Sequence, residues 1–186
     1  MSYVEVGCRV LLVTVFALTL WGKISGREPW ARFVRSVGDM TPWRSNAVLV
    51  AVAVVVGEGA VIVLVATPLR WAAVLGFALA AALLASFAVA TALVVRRGAA
   101  VPCRCFGGDS RTPMGWTHVV RDLVLMAPAV LGLVASSSSG VADVGMALIA
   151  GVSGAAFGLL ITRTDDNLID AWPRRPGKGT GEVRNV

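Results

Sequence analysis

Charge is scarce in this chain: 15% of its 186 residues are charged and 56% are hydrophobic. With a mean hydropathy of +0.76, it is more apolar than a soluble domain of this length can hide in one core. That excludes a soluble globular fold and makes a bilayer the natural solvent. The basic residues that leave a net charge of +6 lie between apolar runs and in the C-terminal tail, not in one patch. No nucleic acid partner is expected, and these residues read as topology signals. Metal ligands are scarce as well. A closed zinc site needs four groups, whereas the neighbourhood of Cys103 and Cys105 offers two thiolates plus His118 or Asp109. No metal is expected unless a dimer or a partner completes the set. A signal-peptide cleavage site is also missing, because Trp21-Gly22-Lys23 follows the run Val10 to Leu20 where small residues should stand. The first helix is expected to be kept.

What is present is a series of apolar runs. A helix needs about 20 apolar residues to cross a hydrocarbon core of about 30 Å. Five spans read this way: Gly7 to Gly22, Asn46 to Ala66, Trp71 to Val95, Val119 to Ala135 and Val144 to Thr162. Trp21, Trp43, Trp71 and Trp116 fall at or just outside their ends, where an amphipathic ring prefers the headgroup region. Between the first two spans, Lys23 to Ser45 interleaves Trp30, Phe33 and Trp43 with arginines and suits an amphipathic helix on the membrane surface. Ser136 to Ser139 reads as a short linker, and the tail from Arg163 onward reads as disordered. The expected architecture is an all-α polytopic transmembrane bundle over residues 1–162, four core helices plus a fifth, followed by a polar basic tail over 163–186.

Lys and Arg counts orient the bundle. Fifteen lie in the first loop, the cysteine loop and the tail, which share one side, and only Arg9 and Arg70 lie on the other. The positive-inside rule then makes this a multi-pass cell-membrane protein with a cytoplasmic cysteine loop.

That loop holds the most reactive pair in the chain. Arg96, Arg97, Arg104 and Arg111 surround Cys103 and Cys105 and favour the thiolate, the nucleophilic form of cysteine. Cysteines two apart can close a small-ring disulfide only with local strain, which makes the bond easily reduced. Labile disulfides of this kind suit exchange better than structural stapling. Cys8, placed on the opposite side, reads as a small buried apolar residue.

Three further features stand out. Glu58, flanked by Gly57 and Gly59 in mid-span, costs several kcal/mol unless paired or protonated, with Lys23 and Arg9 as candidate partners. Such a pair serves equally well as a helix lock or as a proton-handling group. His118 and Asp122 lie four apart at the start of the fourth helix, with Thr117 placed to cap it. A surface pair on a capped helix explains them, and so does a base that takes a thiol proton. Gly154 and Gly158 form a GxxxG face suited to close helix packing.

The order of Lys23 on one helix, Glu58-Gly59 on the next, Arg97-Gly98, Cys103-x-Cys105-Phe106-Gly107 and then Arg121 resembles the MauE family over about residues 7–135. These are methylamine-utilisation membrane proteins related to DoxX-like four-helix bundles. The resemblance implies a redox-associated membrane protein that assists maturation, including disulfide formation, of the methylamine dehydrogenase small subunit. It carries roles onto Lys23, Glu58, Cys103 and Cys105. Arg104 departs from the glycine common in the family, and the fifth helix and basic tail are additions. These departures bear on the methylamine substrate more than on the redox chemistry.

Taken with the residues themselves, Cys103 and Cys105 are expected to exchange disulfides, with Glu58, Lys23 and His118 in support. The expected surroundings are membrane lipid, and the expected partner is a thioredoxin-like protein or a client bearing a disulfide. No second dithiol lies across the membrane, so a quinone or a partner protein would complete any electron relay. The rival reading is a non-catalytic assembly or transport factor that uses Glu58 and the bundle core, with incidental cysteines.

Overall fold

The computed structural model describes residues 3–40, 46–97, 116–137 and 149–160. Among these the chain is helical, as α1 (Tyr3–Ile24), α2 (Arg27–Met40), α3 (Ala47–Ala66), α4 (Arg70–Arg96) and α5 (Trp116–Ser137). A sixth helix, α6, runs over Ile149–Leu160. Four of them, α1, α3, α4 and α5, are long and apolar enough to cross a membrane. In lipid a helix satisfies its own backbone groups, which is why uninterrupted Val/Ala/Leu runs settle into this form. The protein is a multi-pass, all-α membrane bundle.

Polar latches define the antiparallel arrangement. Arg9, near the start of α1, donates to the carbonyls of Val65 at 2.9 Å and Thr67 at 2.6 Å, at the far end of α3. Glu5 holds the same guanidinium at 2.8 Å. Arg70, opening α4, donates to Ser136 O at 2.8 Å in the last turn of α5. One end of the bundle therefore gathers Tyr3, Thr67, Arg70 and Ser136. The opposite end gathers the C-terminus of α1, all of α2 and the start of α3. Arg97 and Trp116, which flank the cysteine segment, also lie there.

The core between the four spans is built on Leu12, Phe16, Val61, Phe77, Leu84 and Leu125. Small residues set the spacing. A Cβ on Gly132 of α5 would overlap the Phe77 ring of α4, and one on Gly76 of α4 would fall 2.7 Å from Val65 of α3. Outward faces stay apolar, with Leu49 70% and Val134 65% exposed. In water that surface would be a liability, but hydrocarbon is its proper solvent.

Several boundaries differ from expectation. The first span begins a turn earlier, at Tyr3, because Glu5 and Arg9 satisfy each other one turn apart. The fourth helix opens at Trp116, so Thr117 lies inside its first turn instead of capping it. Ser136 and Ser137 complete α5 and are not linker, with Ser136 Oγ bonded back to Leu133 O. The expected fifth span is described over Ile149–Leu160, and its GxxxG face does pack closely. A Cβ on Gly154 would sit 2.5 Å from Gly7 O of α1. Trp21, Trp71 and Trp116 are exposed at helix ends, as an interfacial role requires. Trp43 and the 163–186 tail lie outside the described residues.

The amphipathic helix expected after the first span exists as α2, and it is anchored by more than a membrane surface. Phe33 and Val37 bury against Ala47 and Ala51 of α3, with Trp30 and Val34 alongside. The 30, 33, 34, 37 spacing places these four on one face. Arg27 and Arg35 stay exposed.

Candidate functional site

Lys23 occupies the last turn of α1, and Glu58 lies midway along α3. A helical Cα–Cβ bond tilts toward the helix N-terminus, so a side chain near the end of α1 leans back into the bundle. Lys23 therefore reaches inward, and its Nζ forms an ion pair with Glu58 Oε1. Both side chains are 1% exposed. Arg9, the other candidate, begins near the opposite end of α1 and is consumed by Glu5 and the two carbonyls.

Two rings enclose the ammonium. Phe33 of α2 has its centroid 5.2 Å from Lys23 Nζ, and Phe87 of α4 has its centroid 5.7 Å away. A cation over aromatic faces gains electrostatic attraction that grows with desolvation. Phe33 itself is 3% exposed, so α2 shields the pair from the membrane surface. Glu58 Oε2, by contrast, is buried without a hydrogen-bond partner. The two flanking glycines play different parts: a Cβ on Gly57 would touch Leu83 of α4 at 3.4 Å, whereas Gly59 has nothing within 4 Å. Close helix approach is thus a property of Gly57 alone.

His118 and Asp122 are not a surface pair. They are buried in the first turns of α5, 5% and 2% exposed. Thr117 Oγ1 lies 3.4 Å from His118 Nδ1, and Arg121 Nη2 lies 3.4 Å from Asp122 Oδ1. Ser36 of α2 and Thr91 of α4 are buried at the same end. This end of the bundle therefore carries a polar interior, with a cation, two carboxyl side chains, an imidazole and two hydroxyls. The sequence reading missed Ser36, Thr91, Phe33 and Phe87 as parts of it. Phe33 was legible as an α2 anchor, but nothing in the α4 run marked Phe87.

Cys103 and Cys105, with Asp109, lie outside the described residues. Their flanks, Arg97 and Trp116, stand at the polar end. Cys8 is buried in α1 near the opposite end, as expected. Among the described residues no cluster of His, Cys, Asp and Glu could hold a metal ion.

A polytopic helical bundle that spends its membrane interior on a desolvated Lys–Glu pair defines a class of integral membrane protein. Residues 1–135 match the family described as Methylamine utilisation protein MauE. The chain is also 35% identical over 150 residues, covering 78% of each chain, to the Methylamine utilization protein MauE of Paracoccus denitrificans. It belongs to the MauE family. No solved structure matches it.

Proposed function

We propose that this MauE-family protein is a membrane thiol–disulfide redox protein in which Cys103 and Cys105 form the exchanging pair. The observation that carries this reading is placement. The helix ends flanking the cysteine segment, Arg97 and Trp116, stand at the bundle end that buries Lys23, Glu58, His118 and Asp122. A reactive thiolate benefits from nearby cations, and the segment brings Arg96, Arg97, Arg104 and Arg111.

The exchange balances in two steps. A client thiolate attacks the Cys103–Cys105 disulfide, forming a mixed disulfide and releasing one of the pair as a thiolate. A second client thiolate then attacks the mixed disulfide, and the client leaves with its own disulfide. Two electrons and two protons now reside on the Cys103/Cys105 dithiol. A quinone that accepts both to become a quinol, or a thioredoxin-like protein whose disulfide becomes a dithiol, restores the oxidised pair. His118, at the start of the helix after the cysteines, is the base that relays thiol protons. Clients are thiol proteins reached from the same side of the membrane, of which a cytosolic thioredoxin-like protein is the expected kind, and oxidation of an exported protein would require the opposite orientation. A cytoplasmic orientation of this end is part of the proposal, and it is supported by charge: among the described residues Lys23, Arg27, Arg32, Arg35, Arg96, Arg97 and Arg121 belong to the polar half, against Arg9 and Arg70 at the other end.

Trapping tests the exchange. Cys103→Ser or Cys105→Ser should accumulate a mixed disulfide with a partner, seen as a reductant-sensitive band on non-reducing gels. Absence of that band under both oxidising and reducing conditions overturns the reading. The burial of Lys23–Glu58, which needs no cysteine, favours a second reading as a non-catalytic assembly or transport factor. Full function of the double Cys103→Ser/Cys105→Ser variant in cells would select it.

A further inference from the structure

A groove of about 410 Å³ between α1 and α3 is lined by Val6, Val10, Val13 and Val65, and its one cation, Arg9, is already bonded to Glu5 and two carbonyls. A second groove differs. It lies between the C-terminal end of α2 and the outer face of α4, has a volume of about 520 Å³, and is lined by Met40, Ser86, Val89, Leu93 and Arg97, with Ala85 and Ala90 between them. We infer that this groove binds an anionic phospholipid, with one acyl chain along α4 and the phosphate on Arg97.

Length, polarity and charge each point to that occupant. From Ser86 to Arg97 the helix rises about 16 Å at 1.5 Å per residue. One leaflet of hydrocarbon is about 15 Å deep. Among the described residues the groove is therefore one acyl chain long, apolar but for Ser86, whose hydroxyl donates to Ala82 O, and it carries its cation, Arg97, at the interfacial end. A 27-residue α4 is about 40 Å long, which carries Arg97 beyond the hydrocarbon to headgroup level. Arg97 is exposed there beside exposed Arg96. The acidic side chains of α2 are Glu28, which holds Arg32 at 3.1 Å, and Asp39, next to Met40. The C-terminal carbonyls of α4 repel an anion, at typically 0.3–1 kcal/mol. Arg97 in the groove and Arg96 beside it contribute about 1 kcal/mol each toward an anionic lipid surface, which exceeds the carbonyl repulsion and leaves a smaller margin against exposed Asp39. A zwitterionic lipid would fill the apolar length equally well but gain less at Arg97. The charge end thus selects the headgroup, and the apolar length selects a lipid over free phosphate.

The test uses the full chain in nanodiscs of equal phosphatidylglycerol and phosphatidylcholine, released into native mass spectrometry to count retained lipids. The wild-type protein should keep phosphatidylglycerol preferentially. Arg97→Gln should reduce that preference about fivefold, the factor for about 1 kcal/mol. Arg97→Lys should retain most of it, and Arg27→Gln, at the far end of α2, should leave it unchanged. Equal retention of the two lipids by the wild type would overturn the site. So would an Arg27→Gln loss equal to that of Arg97→Gln, because the effect would then be diffuse surface charge. Arg97 is exposed, so its replacement leaves the bundle folded, which the helical circular dichroism of each variant verifies.

Discussion

Lys23 Nζ and Glu58 Oε1, 35 residues apart in the chain, meet inside the bundle with both side chains excluded from solvent. The pair ties the end of α1 to the middle of α3, and rings from α2 and α4 cover its cation. Four helices thus converge on one charge.

Removing either partner should therefore be worse than removing both. A lone buried charge costs about 3–5 kcal/mol, while a well-packed apolar replacement of the whole pair is often neutral. Lys23→Met and Glu58→Leu are each expected to lower stability by that order, and the double variant to recover most of it. Denaturant titration of detergent-solubilised protein, followed by tryptophan fluorescence, measures this. Additive losses in the double variant would show that the two groups do not act as a pair.

Two glycines should respond in opposite ways to the same methyl group. Gly132→Ala drives a Cβ into the Phe77 ring and is expected to cost about 1–3 kcal/mol. Gly59→Ala meets nothing within 4 Å and should be neutral, or stabilising by about 0.5–1 kcal/mol, because alanine favours a helix interior. Thermal unfolding of the two variants side by side separates them.

The orientation assigned to the polar end predicts a labelling pattern. After the pair is reduced with membrane-permeant dithiothreitol and the reductant is washed out, a membrane-impermeant maleimide applied to intact cells should leave Cys103 and Cys105 unmodified, while a permeant one modifies them. Cys8, 8% exposed within α1, should resist both until the protein is denatured. A Cys8→Ser background assigns the signal, and prompt labelling by the impermeant reagent would reverse the orientation.

A proton-relaying His118 should affect the rate of exchange more than its outcome. His118→Gln is expected to slow reduction of a small disulfide by about a hundredfold, the low end of general-base contributions. The mixed disulfide trapped in a Cys105→Ser background should still reach its usual yield. An unchanged rate would return His118 to a packing role at the start of α5.

Much of this architecture was legible before any coordinates. Long Val/Ala/Leu runs, tryptophans at their ends and a small-residue face at Gly154 and Gly158 follow from local chemistry, which acts over a few turns of helix. The amphipathic segment after Lys23 was equally clear, because Trp30, Phe33, Val34 and Val37 repeat at helical spacing. The site was only partly legible. A mid-span glutamate demands a partner, yet nothing local says whether Lys23 or Arg9 supplies it. Likewise, an i, i+4 His118/Asp122 pair looks the same on a solvated face as on a buried one.

By itself the sequence determined the solvent and the helical class, because a bilayer imposes length and apolarity on each segment independently; of the five spans read from it, four are helices long enough to cross and the last is described as the shorter Ile149–Leu160. Only the tertiary structure decided which charges meet. The antiparallel set of α1 on α3, together with the backward tilt of helical side chains, sends Lys23 inward to Glu58 and Arg9 outward to carbonyls. The packing of α2 and α4 then leaves that inward pair dry between Phe33 and Phe87. Those contacts join residues from 10 to 64 positions apart on different helices, and no local periodicity encodes them.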